Sequence, residues 1–453
     1  MKTLRVLIFC LVLLILLVRF YNFPAWFGFD YDQEVNAWIA KAIVVDHKPV
    51  LIGPETSVGG MYVGPYFNYL IAIFYALGRM DPQATIILNI LLSAVTVYFI
   101  YFVGTKVFSR KTGVIAMIIY GFSYNLTNFD RVAWNPTPIP VVSLGILFFL
   151  YLYFRFRKLW QLVAAISLTG FMFHLHFTAI FLGGFVLLAL LVFGGKKFGF
   201  SFKNYFALFF TGLVFLLPLL IFNLRHDYLL SRHFWQFFFS SGQVQTIVWE
   251  RLGILVSFTR AIFYNDASKI LDIITILPLT AVLYFGFRSK PEQKLFYQLA
   301  FLLLATPILP LALYPGPLPA HYLLFALPVI ILLLSSLIEK LNTIKIFLIL
   351  AVFLSVNVPK ILTTVNGLSL AAKHRAANFV VNNAKMDPFK VDFITQPGRK
   401  TGFKYLFWLE GRGLIENMAI KTERTYKIIV PYFLVPEKDL TAKFGGVGVI
   451  KIE

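Results

Sequence analysis

The sequence predicts an all-α polytopic membrane protein of about eleven transmembrane helices, followed by a small C-terminal α/β domain outside the membrane. Three observations lead there: the composition, basic tracts in alternate loops, and a change of character after residue 358. Of 453 residues, 59% are hydrophobic, 17% aromatic and 14% charged, with a mean hydropathy of +0.77. Soluble domains carry roughly 25% charged residues. A water-facing fold could not bury this much apolar side chain, so part of the solvent is lipid.

Apolar runs fall at roughly 4–20, 83–103, 112–126, 138–154, 161–175, 177–193, 205–222, 271–287, 295–313, 321–338 and 344–358. Several are shorter than a full span and imply tilt or a thin local bilayer. The stretch 161–193 reads as a tight hairpin of two short helices. Lys106-Arg110-Lys111, Arg155-Arg157-Lys158, Lys196-Lys197-Lys203, Arg288-Lys290-Lys294 and Lys340-Lys345 occupy alternate loops. Positive charge marks the cytoplasmic side, so these loops and the N-terminus are expected inside. A crossing by Val63–Gly78 would move every later tract outside. That segment is therefore an interfacial or re-entrant helix in a long first outer loop, 21–82. The apolar run to Val18 is followed by no small-residue cleavage site and reads as an uncleaved anchor.

The net charge of +20 does not point to nucleic acid. Its Lys and Arg residues lie in short tracts between apolar runs, where they set topology and meet anionic lipid. Cys10 is the sole cysteine, which excludes an intrachain disulfide and a Cys-based metal site. The chain divides into a membrane module, 1–358, and a small extracytoplasmic domain, 359–453. The latter is expected to hold a helix near 370–383 and strands Phe389–Thr395, Thr425–Val430 and Val447–Ile452.

In the first outer loop, Val35, Trp38, Ile39, Ala42 and Ile43 follow helical spacing, with Glu34, Lys41 and His47 off the stripe. The pattern predicts an amphipathic helix over 33–46 in the membrane surface or packed on protein. Just before it stands Phe29-Asp30-Tyr31-Asp32-Gln33-Glu34. Carboxylates at the headgroup level, beside anionic lipid, are costly unless they serve a purpose. Asp32 is expected to cap the helix beginning at Gln33, and a cap also fixes the carboxylate for chemistry.

Cations on the outer side are disfavoured by topology, so Arg131, Arg225-His226 and Arg232-His233 stand out. An Arg suits phosphate through its planar fork, although each could simply snorkel to headgroups. Asp130 is the natural partner of Arg131. His174-Leu175-His176 falls at the outer turn of the hairpin, and His321-Tyr322 follows Tyr314-Pro315-Gly316-Pro317. A His pair at this spacing could take a divalent ion if a carboxylate joined it. Ordinary interfacial hydrogen bonding is the plainer reading, and the metal is left open.

Asp32-Gln33 followed by Asn36-Ala37-Trp38, and then Gly64-Pro65-Tyr66-Phe67-Asn68-Tyr69, resemble two ordered motifs of the membrane-embedded C-type glycosyltransferases (GT-C). The likeness is to protein O-mannosyltransferases and lipid A aminoarabinose transferases, over about residues 1–260. Two positions depart: Gln33 stands where that family has Glu, and Gly64 where a basic residue or His often precedes the Pro. The resemblance implies a GT-C-like fold with interfacial helices and a polyprenyl-phosphate-linked sugar donor at the outer leaflet. An acceptor hydroxyl, on a protein, lipid or glycan, would attack with inversion. Asp32 would be the general base, with Asp30 and Glu34 as acidic companions. Arg131, Arg225, His226 and Arg232 would hold the departing phosphate. Tyr66, Tyr69, His174, His176, His321 and Tyr322 would line the substrate cavity. A leaving phosphate needs charge stabilisation rather than a proton, so one carboxylate suffices. No cofactor is implied with certainty.

A diphosphate-donor ligase would carry a large late loop rich in Arg and His. A transporter or lipid flippase would carry ionisable residues at mid-membrane, broken helices and an internal repeat. No repeat is visible, and 83–103, 138–154 and 344–358 are essentially free of charge.

Overall fold

The structure is a computed structural model and describes residues 2–452 other than 57–58, 195–201, 241–247, 265–274, 277, 279, 283, 285, 287, 308–310, 312–318, 386, 397–400 and 412–423. Most of the expected run 271–287, the tract Lys196-Lys197 and the segment Tyr314–Pro317 lie outside the described residues.

The described helices are α1 (Lys2–Arg19), α2 (Tyr31–Val44), α3 (Tyr66–Leu77), α4 (Ile86–Val107), α5 (Arg110–Phe122), α6 (Tyr124–Asp130), α7 (Ile139–Phe156), α8 (Leu159–Met172), α9 (Ala179–Gly194), α10 (Phe202–Arg225), α11 (Leu229–Ser240) and α12 (Val248–Phe263). After them come α13 (Pro291–Ala305), α14 (Leu327–Ile338), α15 (Thr343–Thr363), α16 (Leu370–Ala384) and α17 (Phe403–Leu409). Among the described residues five helical segments are long and apolar enough to cross a membrane: Thr3–Ala25, Pro82–Val107, Ile139–Phe156, Asn204–Arg225 and Thr343–Thr363. Their burial separates a core from a rim. The central helix α7 is 72% buried and packs on α4, α8, α9, α13 and α14, whereas α10 is 6% buried. On α10, Phe206, Phe209, Phe210 and Leu217 stand exposed, as do Leu7, Phe9 and Leu17 on α1. Apolar faces of that extent are covered by lipid in a membrane protein.

Small residues bring the inner helices together. A Cβ on Gly104 of α4 would fall 2.8 Å from Gly113 Cα on α5, so these backbones touch as closely as glycine allows. The single run expected over 112–126 is broken at Ser123, whose extended backbone ends α5 and starts α6. Its hydroxyl donates to Ile262 O at 2.8 Å. The helices α11 and α12 lie in what the apolar pattern leaves as outer loop, because polar residues interrupt their hydrophobic runs.

The segment 63–78 forms α3, 12 residues long. At 1.5 Å per residue it reaches about 18 Å, too short for a crossing. The surface helix starts at Tyr31 rather than Gln33, and its N-cap is Asp30, not Asp32. The Gln33 side chain accepts the Asp30 backbone N–H at 3.0 Å, which moves the start two residues earlier. Its buried face is Gln33, Asn36, Ala37 and Ala40 rather than the aliphatic stripe. Trp38 packs on protein, 5.1 Å from Tyr405 and 5.7 Å from Trp408 between ring centroids.

Beyond α15 the chain forms a four-stranded sheet of β1 (Phe389–Thr395), β2 (Arg424–Val430), β3 (Ala442–Phe444) and β4 (Val447–Ile452), in the order β1-β2-β4-β3. β1 and β2 are parallel, and the β4 pairings are antiparallel. This region is tied to the first loop: Asn366 N donates to Ala25 O at 2.8 Å and Leu370 N to Phe27 O at 2.7 Å. The C-terminal ends of α1 and α15 therefore share one side, which requires an odd number of crossings if both helices span.

Candidate active site

The site grows from α2, α3, the loop after α6 and the turn between α8 and α9. A chain of buried amides joins them. Asn68 Nδ2 donates to Asn36 Oδ1 at 2.7 Å, Asn36 Nδ2 to Asn135 Oδ1 at 3.0 Å, and Asn135 Nδ2 to His174 O at 3.4 Å. Asn36 lies one helical turn after Asp32, so this chain fixes the rotation of α2 and hence the direction of the carboxylate.

Asp32 opens onto a cavity of about 310 Å³ lined by Tyr31, Glu55, Thr56, Trp134, Asn135, His176, His321 and Tyr322, with Pro54, Val63, Pro136, Leu175 and Pro319 completing the wall. Four of the residues singled out in the sequence thus meet: Asp32, His176, His321 and Tyr322. Glu55, Trp134 and Asn135 escaped sequence reasoning, since none sits in a recognisable motif of its own. Glu55 belongs to a hairpin closed by Gly53 N to Val63 O (2.7 Å) and Thr56 N to Met61 O (2.7 Å), and its Oε1 accepts the Gly60 N–H at 2.6 Å.

The electrostatics are unusual. Desolvation raises the pKa of Asp32, and the neighbouring Asp30 charge raises it further. Burial lowers His176 to about 3, with His321 contributing, and lowers His321 to about 4. Both imidazoles are neutral at ordinary pH and offer hydrogen bonds without charge. They stand edge to face at 5.4 Å, with Tyr322 at 4.9 Å from each and Trp134 at 5.0 Å from His321. Among the described residues, those lining the cavity include no Lys or Arg.

Other expected site residues stand outside the cavity wall. Glu34 spends both carboxylate oxygens on backbone donors, Gly402 N at 2.6 Å and Tyr405 N at 3.0 Å. Asp30 is paired with Lys373 Nζ at 2.7 Å. Neither lines the cavity. Arg131 is buried, with Nε donating to Arg19 O at 2.8 Å, Nη2 to Ile361 O at 3.1 Å, and the guanidinium 4.1 Å over the Trp26 ring. The carbonyls at a helix C-terminus lack intrahelical donors, and Arg131 meets one each from α1 and α15, while its buried Nη1 has no hydrogen-bond partner among the described residues. Asp130 pairs with Arg19, not with Arg131. Arg225, His226 and Arg232 are exposed at the α10–α11 junction, outside the cavity wall. The next residue, His233, lies where a side chain on Gly60 would be.

Tyr66 and Tyr69 also lie outside the wall: Tyr66 donates to Val214 O at 2.8 Å, and Tyr69 bonds both backbone groups of Val50. His174 is fully buried, with Nε2 2.7 Å from Phe215 O and Nδ1 3.4 Å from Tyr66 N. His176 Nδ1 meets Thr178 Oγ1 at 3.1 Å. The two histidines therefore point to different partners and do not chelate jointly. Among the described residues no group of three or more His, Cys, Asp or Glu gathers at metal-binding distance.

Residues 62–222 match a family model described as dolichyl-phosphate-mannose-protein mannosyltransferase. The fold matches ArnT from Cupriavidus metallidurans bound to undecaprenyl phosphate with a TM-score of 0.65 and 10% identity, covering 99% of this chain and 98% of that one. Apo ArnT gives a TM-score of 0.63 and 9% identity over the same shares. Archaeal oligosaccharyltransferase AglB from Archaeoglobus fulgidus, in complex with an inhibitory peptide and a dolichol-phosphate, gives 0.51 and 10% identity over 89% of this chain and 63% of that one. No curated protein matches the chain in sequence. The chain is similar to the membrane-embedded C-type glycosyltransferases over the matched residues 62–222 and shares the ArnT fold along nearly its whole length.

Proposed function

We propose that this chain is an integral-membrane glycosyltransferase that moves a sugar from a polyprenyl-phosphate donor to an acceptor hydroxyl at the outer face of the membrane. The observation that carries the reading is Asp32 opening onto a cavity walled by Trp134, His176, His321 and Tyr322, in a chain with the ArnT fold. The solved relatives were captured with undecaprenyl phosphate and with dolichol-phosphate, which supports a lipid phosphate as the carrier here.

Asp32 takes the proton of the acceptor hydroxyl as its oxygen bonds the anomeric carbon. The bond from that carbon to the phosphate oxygen breaks, and the lipid phosphate leaves with the electron pair. A single displacement inverts the sugar. A carboxylate with a raised pKa is a stronger base than one at the ordinary Asp value, which favours this step. Neutral His176 and His321 suit sugar hydroxyls, and the aromatic rings of Trp134 and Tyr322 suit the C–H face of a sugar. The phosphate is expected nearer Arg225, His226 and Arg232, beside the Gly60 hairpin, where the two guanidinium groups are exposed. The N-terminus is then cytoplasmic, with the site and the C-terminal sheet outside.

The test is release of free carrier phosphate from a panel of polyprenyl-phosphate-linked hexoses and pentoses by purified protein, wild type and Asp32→Asn. Release in the wild type and its loss in the variant are expected; equal release in both removes Asp32 as the base.

A further inference from the structure

Two residues far along the chain hold the segment that carries Asp32. Lys373, on α16, is fully buried, and its Nζ donates to Asp30 Oδ1 at 2.7 Å, Phe29 O at 2.7 Å and Thr401 O at 3.0 Å. An ammonium has three N–H groups, and three acceptors meet them. On the other flank, Glu34 binds Gly402 N and Tyr405 N. Gly402 has φ +93, and a Cβ there would fall 2.6 Å from Phe29 O, so the contact admits only glycine. Tyr405 continues the grip, its hydroxyl donating to Met80 O at 2.8 Å. Asp32 is the midpoint of a segment pinned at 30 and at 34.

We propose that Lys373 is a positioning residue for Asp32, acting through Asp30, so that the C-terminal domain is a working part of the active site. The proposal rests on the reading of Asp32 as the base. Lys373 has two effects: it orients residues 29–32, and its charge offsets that of Asp30. The ionisable groups around Asp32 are Asp30 and Glu34 in its own segment, the latter turned to Gly402 N and Tyr405 N, Lys373 behind Asp30, and Glu55, His176, His321, Tyr31 and Tyr322 around the cavity. The histidines are neutral above pH 5, so the Asp30–Lys373 pair is the part of this field that substitution changes most simply.

The signs follow from the charges. With Lys373→Met, the Asp30 charge acts undiminished on Asp32, raising its pKa, and the acid limb of the pH–rate profile moves to higher pH. With Asp30→Asn, the Lys373 charge remains and the limb moves to lower pH. Each shift is expected to be about half a pH unit or more. Lys373→Arg keeps the charge and leaves the limb near the wild-type position.

The experiment follows carrier-phosphate release against pH by the full chain with the same panel of polyprenyl-phosphate-linked hexoses and pentoses. It is paired with amide hydrogen exchange over residues 29–36, which needs no turnover. Opposite limb shifts in Lys373→Met and Asp30→Asn, with at least tenfold faster exchange in the former, support the proposal. An unmoved limb in Asp30→Asn overturns it, and because that change is nearly isosteric, it decides even if Lys373→Met does not fold. Asp32→Asn separates the two failures: if it abolishes release while the limbs stay fixed, the base stands and the positioning role falls. If it releases carrier phosphate normally, the base itself is wrong.

Discussion

His174 stacks on Tyr66 with ring centroids 4.0 Å apart and planes 9° from parallel, and its imidazole occupies the volume a side chain at Gly64 would need. The residue that departs from the family pattern is thus matched by a ring from another helix pair. A Cβ on Gly64 would lie 2.0 Å from His174 Nδ1, and the ring is held from the other side by Phe215 O. Gly64→Ala is expected to cost about 1–3 kcal/mol, the usual penalty of overpacking. The apparent melting temperature in detergent reads it, and a Gly64→Ala/His174→Ala double variant should lose less than the sum of the two single changes.

The paired cavity histidines give the protein a directional response to acid. Their folded pKa values, about 3 for His176 and about 4 for His321, lie below the ordinary 6.5. Between these limits the unfolded chain binds protons that the folded one refuses, so stability falls as pH drops from about 6.5 toward 4. Each unit of depression corresponds to about 1.4 kcal/mol. Apparent melting temperatures measured from pH 8 to pH 4 should decline in the wild type and decline less in His176→Gln. Equal slopes would show that His176 is not a buried neutral group.

The pair of Arg19 and Asp130 is the charged centre of the helix bundle. Arg19 is fully buried and also donates to Ser93 Oγ at 2.7 Å and Thr127 Oγ1 at 3.2 Å. Asp130→Asn leaves Arg19 uncompensated beside Arg131, whose own pKa is lowered to about 10 by burial and then by Arg19. Breaking a buried pair from one side typically costs about 3–5 kcal/mol. The folded yield of Asp130→Asn should therefore fall sharply, and Arg19→Met/Asp130→Asn should recover part of it. No recovery would argue that Arg19 acts through Ser93 and Thr127 instead.

The pattern of residues reveals those features that local physics determines. Continuous apolar runs mark α1, α4, α7, α10 and α15, and short pieces rich in β-branched and aromatic residues mark β1, β2 and β4 within a residue or two. The segment with Asp32 is visible because carboxylates at a lipid surface are costly. Pairings across the chain are not visible in this way. Asp130 finds Arg19 at a separation of 111 residues, and Glu34 finds Gly402 at a separation of 368. The side chains of Asn36 and Asn68 read as ordinary polar positions until their amides are seen to meet. Arg131 shows the same limit from the other side: its charge draws notice, but the carbonyls that its Nε and Nη2 meet belong to Arg19 and Ile361.

Asn36 supplies a test of how the site is held. Its amide is the middle link between Asn68 on α3 and Asn135 in the cavity wall, and it is fully buried. Asn36→Ala strands an Asn68 donor and an Asn135 acceptor, each costing about 1–3 kcal/mol when left without a partner. The same change frees α2 to rotate, and Asp32 sits on the preceding turn. Misplacing a base by about 1 Å can cost on the order of a hundredfold in rate. Asn36→Ala is therefore expected to lower kcat for carrier-phosphate release much more than it raises KM for the donor, because Asn36 lies behind the wall and does not touch the cavity. Asn36→Asp keeps an acceptor for Asn68 but removes the donor to Asn135, so it should fall between the two. A variant that folds with undiminished kcat would show that the amide chain stabilises the helices without aiming the carboxylate.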